Sequence, residues 1–160
     1  MIYILADEVR TGKTSALLEW IETWDEVRGV LCPDGKDGKR YLLDLESRNE
    51  FPLEVDEPNE KTISIGKFHF AKPSFELANY ILKKAFDEAE YEFLVVDELG
   101  KLELENEGIH SAADHIFKNY KPSEDQHIMT VVRTSLVKDI LKKYNIRDFQ
   151  IVSKEFLLDV

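Results

Sequence analysis

The chain has 160 residues, a length suited to one domain around a single core. Its 32 acidic side chains outnumber 21 basic ones for a formal charge of -11, so the mean field repels a polyanion and argues against nucleic acid as a partner. The lone Cys32 excludes an intramolecular disulfide framework and a multi-cysteine metal site, and no apolar run approaches a membrane span.

The first apolar run, IYILA at 2–6, reads as a strand covered on both faces. It is short for a leader peptide, has no basic flank and is cut off by Asp7 and Glu8, so a cytoplasmic protein is expected. Ala16, Leu17, Trp20, Ile21 and Trp24 then recur at helical spacing. Between about 28 and 66 the runs RGVLCP, KRYLLDL, FPLEV and KTISIG are strand-like and are separated by DGKDGK, ESRN and DEPN, which predicts a small antiparallel excursion. DGKDGK lacks the ligand series and closing Glu of a calcium loop and reads as a turn.

From Pro73 the helical period returns, with Phe75, Ala78, Leu82, Ala85, Phe86 and Ala89 on one stripe, and FLVV at 93–96 follows as a buried strand ending at Asp97. Ile109, Ala112, Ala113, Ile116, Phe117 and Tyr120 make a further helix face, and HIMTVV at 127–132 a strand. Leu136, Val137, Ile140, Leu141 and Tyr144 make the next helix, with FQIV at 149–152 a closing strand. Helices alternating with buried strands predict a mostly parallel sheet covered on both sides, whose ligands bind at the carboxyl ends of its strands.

Two turns at such ends carry the chemistry. Residues 7–14, DEVRTGKT, fill the phosphate-loop pattern GxxxxGK[ST] with Asp7 in place of the opening glycine. Lying between a strand and an amphipathic helix, the stretch from Asp7 through Glu8, Val9, Arg10, Thr11, Gly12, Lys13 and Thr14 to Ser15 is the candidate nucleotide-binding segment (Walker A). There Lys13 would neutralise the β and γ phosphates and the Thr14 hydroxyl would ligate Mg²⁺. Read locally, an ordinary strand-to-helix turn remains the alternative.

The second turn lies in FLVVDELGKLEL at 93–104. An Asp ending a buried strand is the Walker B arrangement, so Asp97 is the second candidate metal ligand. Neighbouring Glu98 could orient and deprotonate a water. Arg133, at the end of its strand, and Lys101 are further candidate phosphate-facing cations, with solvated surface side chains as the alternative for each. His69, His110, His115 and His127 show no metal-ligand spacing.

The GKT turn, the hairpin-rich middle, the run Gly66, Lys67, Phe68 before a long helix, and VVDELGKLEL together resemble the small P-loop nucleoside-triphosphatases. That family includes the vertebrate cancer-related nucleoside-triphosphatase and its prokaryotic relatives. The resemblance spans essentially the whole chain, with Asp97, Glu98, Gly100, Lys101 and Glu103 matching the family's second motif. It implies one kinase-like P-loop α/β domain over 1–160, slow Mg²⁺-dependent hydrolysis of nucleoside triphosphates with broad base preference, and Lys101 as a residue near the phosphates.

Asp7 and Arg10 stand where family members usually have glycine. The expected loop is therefore a handicapped one in which Arg10 offsets the charge of Asp7. Two rivals stand beside the hydrolase: a non-catalytic P-loop protein serving a partner, and a nucleoside or nucleotide kinase.

Overall fold

The computed structural model describes residues 1–7 and 13–158, with the backbone only for Asp7, Lys13 and Leu158. In chain order the first elements are β1 (Ile2–Asp7), α1 (Lys13–Ile21), β2 (Val27–Leu31), β3 (Tyr41–Asp44) and β4 (Glu50–Pro52). Three short strands follow, β5 (Glu54–Val55), β6 (Thr62–Ile65) and β7 (Phe68–Ala71). The long helix α2 (Lys72–Glu88), β8 (Phe93–Val96), the single turn α3 (Lys101–Leu104) and α4 (His110–Asn119) lead to β9 (His127–Arg133). The chain closes with α5 (Val137–Lys143), β10 (Phe149–Val152) and a 3-10 turn at Lys154–Leu158.

Among the described residues, seven strands form one sheet in the order β10-β1-β9-β8-β2-β3-β4, and three form a second in the order β5-β7-β6. The strands from β10 to β2 are parallel; β3 and β4 extend that sheet antiparallel. This is the mostly parallel α/β architecture with an antiparallel excursion that the alternation of runs predicts.

The period of two along each strand divides the core into two layers. Ile4, Leu94, Val96, Ile128 and Val132 face the layer that receives α2, α4 and α5. Leu5, Phe93, Val95, Met129 and Val131 face the other, where α1 contributes Leu17, Trp20 and Ile21, and the last 3-10 turn contributes Leu157. The single polar side chain in the middle of β9, Thr130, is fully buried and satisfied: its hydroxyl donates to the Val96 carbonyl at 2.9 Å. No helix among the described residues is long and apolar enough to cross a membrane.

Two features differ from the sequence reading. The run RGVLC opens no excursion; β2 is a central strand, parallel to β8. Gly29 makes that possible, because at φ +110 a Cβ there would lie 2.1 Å from the Val95 carbonyl oxygen. The excursion begins one element later, after the DGKDGK turn, which the Gly35 N–H closes onto the Lys39 carbonyl at 2.8 Å. Second, FHFA forms β7, the central strand of the small sheet, joined to β6 through Gly66 at φ +58. Its half-buried, mixed composition carries little strand signal.

Candidate active site

The carboxyl ends of β1, β9, β8 and β2 share one edge of the main sheet, as parallel strands in register require. The ladder sets Asp7 opposite Arg133, Val96 opposite Thr130 and Val30 opposite Val96. Whatever follows Leu31, Val96 and Arg133 in the chain therefore meets at this edge, beside the end of β1. Sequence positions as distant as 14, 32, 97 and 133 become neighbours.

Asp97 leaves β8 with its side chain only 2% exposed. The Cys32 N–H donates to its Oδ2 at 3.0 Å, and the Thr14 hydroxyl stands 3.5 Å from the same oxygen. The Cys32 thiol points at the Asp97 carbonyl, 3.3 Å away. Burial, followed by the charges of Asp97 and Glu98, pushes the Cys32 thiol well above its usual range, and Cys32 forms part of the wall of the site.

Glu98, joined to Asp97 by a cis peptide, turns the other way and is partly exposed. The Arg40 guanidinium, at the start of the excursion, donates to its Oε1 at 3.2 Å. Burial opposes the charge on Arg40, but Glu98 and Asp97 beside it hold the guanidinium pKa above its ordinary value.

Behind the turn, Glu103 is buried and braces the backbone. Its Oε1 accepts the Gly100 N–H at 2.8 Å and its Oε2 the Ile109 N–H at 2.9 Å. A Cβ on Gly108 would stand 2.0 Å from that second oxygen, so glycine is what lets the carboxylate reach Ile109. The turn that carries Asp97 and Glu98 is thus held at Asp97 by Cys32 and at Gly100 by Glu103.

Asp97, Glu98, Arg40, Lys101 and Arg133 all line one cavity of about 650 Å³, whose remaining wall comes largely from the excursion and the start of α2. Lys101 is exposed and Arg133 half-buried, and neither has an ion pair among the described residues. Ser15 is exposed on α1. Of the remaining loop candidates, Glu8, Val9, Arg10, Thr11 and Gly12 lie outside the described residues, as do the side chains of Asp7 and Lys13.

Chemically, the Thr14 hydroxyl and the Asp97 carboxylate are two hard oxygen donors 3.5 Å apart. That suits Mg²⁺, which takes one or two protein oxygens and completes its shell with water and phosphate. No cluster of three or more His, Cys, Asp or Glu suited to a metal occurs among the described residues. The four histidines instead meet Ser64, Tyr144, Asp87 and the chain amino group.

Arg40 escapes the sequence reading because its partner lies 58 positions away and an arginine after a turn carries no signal of its own. Glu103 was visible only as part of the second motif.

The model of the NTPase family matches residues 3–155. The chain is similar in structure to THEP1 from the hyperthermophile Aquifex aeolicus, with a TM-score of 0.78 at 18% identity over 99% of this chain and 96% of that one. Among curated proteins none matches.

Proposed function

The chain belongs to the NTPase family, and from that premise we propose that it hydrolyses nucleoside triphosphates to diphosphate and phosphate with Mg²⁺, with broad base preference and slow turnover, as a single domain. The observation that carries this reading is the placement of Asp97 and Glu98 together at the end of a buried strand, with the Thr14 hydroxyl 3.5 Å from Asp97. Lys13 and the backbone from Asp7 to Ser15 hold the phosphates. Thr14 and Asp97 hold the magnesium, which when bound offsets charge on the β and γ phosphates.

Glu98 accepts a proton from the attacking water, and Arg40 orients its carboxylate. Arg133 and Lys101, on the same cavity, face the transferring phosphoryl group. Arg10 offsets Asp7 within the loop. A carboxylate about 6 Å from a phosphate charge costs on the order of 2 to 3 kcal/mol at an effective dielectric near 20, which a guanidinium in the same loop largely returns.

The loop substitutions favour one rival, a P-loop protein that binds a partner and no longer turns over triphosphate. Phosphate release from a panel of triphosphates separates the two. The hydrolase releases phosphate from several of them, loses at least about tenfold when magnesium is chelated, and loses it again in Lys13→Ala, which also controls for contaminating enzymes. Release that is equal in wild type and Lys13→Ala overturns the hydrolase.

A further inference from the structure

The cavity that holds Glu98 also has a wall for which activation of a water gives no role. A water molecule takes up about 30 Å³ and needs two or more polar partners to stay, whereas the space onto which Glu98 opens is about 650 Å³. The lining holds two kinds of group. The charged ones include Asp97, the Arg40–Glu98 pair, Lys101 and Arg133. The apolar ones include Leu42, Leu53, Ile65, Phe70, Phe75 and Ala78, and this apolar wall is the lobe considered below. Glu54 joins the two kinds, since it pairs with Phe70 in the small sheet and its carboxylate accepts the Arg40 N–H at 3.4 Å.

The lobe has the character of a binding surface for carbon. The rings of Phe70 and Phe75 meet edge to face with centroids 6.0 Å apart, and Phe68, stacked on Phe70, stays 36% exposed at the rim. Such walls offer nothing to a water molecule or to a charged body, but they suit an apolar or aromatic one. The second sheet exists largely to supply them, since β6 and β7 carry Ile65, Phe68 and Phe70.

We propose that this lobe binds a second substrate, a neutral alcohol with an apolar or aromatic body, whose hydroxyl reaches Glu98 and takes the γ-phosphoryl group in place of water. The proposal rests on the reading of the loop as a triphosphate site. The hydroxyl oxygen forms a bond to the γ-phosphorus, and the bond from that phosphorus to the β,γ-bridging oxygen breaks, its electron pair leaving with the nucleoside diphosphate. The hydroxyl proton passes to the Glu98 carboxylate and from there to solvent. The products are a phosphate monoester and a nucleoside diphosphate, and hydrolysis is what the same centre does when the lobe is empty.

The test uses 3-phenylpropan-1-ol as probe on the full chain. Calorimetry with a non-hydrolysable ATP analogue present should show the alcohol binding at one site, weakened about tenfold in Phe70→Ala and more mildly in Phe68→Ala, whose exposed ring can be removed without disturbing the fold. With ATP labelled at the γ-phosphorus, about a tenth or more of the label should appear as 3-phenylpropyl phosphate, because a bound hydroxyl has an effective concentration that dilute alcohol in water lacks.

Absence of binding overturns the site. Displacement of the alcohol by the ATP analogue overturns it too, since the lobe then belongs to the nucleotide. Binding with only free phosphate formed overturns the transfer. A protein that binds the alcohol yet consumes no triphosphate under any condition refutes the triphosphatase reading instead, so the two failures are told apart.

Discussion

Glu103 shows how one residue braces the turn that follows β8. It is 4% exposed and takes one backbone N–H on each oxygen. Burial raises its pKa from 4.5 to about 7, against the pull of those two N–H groups. The folded protein therefore keeps a proton that the unfolded chain releases, and this group's favourable contribution, complete below pH 4.5, is lost as pH rises through about 7. Urea unfolding of wild type and Glu103→Gln across this range should show their difference in stability falling by on the order of 3 kcal/mol as pH rises. A pH-independent difference would mean that Glu103 titrates as an ordinary exposed carboxylate. The Gln variant should also be the less stable protein near neutral pH, because an amide places a donor against one of the two N–H groups.

At the level of elements, the site depends on how closely β2 approaches β8, since Cys32 reaches Asp97 only from the end of that strand. Gly29 and Gly38 separate the two reasons for glycine at positive φ. At Gly29 a Cβ meets the Val95 backbone, and at Gly38, φ +79, it meets nothing. Gly38→Ala should cost about 1 kcal/mol, the left-handed penalty alone, and Gly29→Ala on the order of 3 kcal/mol, because two strands must part. Equal losses in denaturant unfolding would show that β2 and β8 can separate freely.

The same elements explain what was legible beforehand. Strands β1, β8 and β9 and helices α2, α4 and α5 announce themselves because each is either an unbroken apolar run or a helical stripe, patterns that burial on two faces or one enforces. The sheet to which RGVLC belongs was not legible, since so short a run, broken by Arg28 and Gly29, reads alike in a parallel and an antiparallel setting. The position of Asp97 and Glu98 on the cavity was legible because a strand end aims them. Arg40 was not, because its position depends on a hairpin folding back across the sheet edge, a tertiary fact with no local trace.

Taken as a whole, the molecule carries a net charge of -11, and one cavity brings Arg40, Lys101 and Arg133 together with the acids Asp34, Glu54, Asp97, Glu98 and Glu103, so a polyphosphate there depends on counter-charge from a metal and from Lys13. The sheet supplies the carboxylates, the excursion supplies the arginine and the apolar wall, and the start of α1 supplies Lys13 and Thr14. If this division is right, binding and chemistry are separable, since phosphate affinity comes from the loop and metal whereas Glu98 acts on the nucleophile in the transition state. The most direct measurement is Glu98→Gln, with triphosphate affinity by calorimetry and turnover by phosphate release on the same preparation. Affinity should stay within a few fold while turnover falls by about 10² or more. Turnover equal to wild type would contradict the account by removing Glu98 from the chemistry.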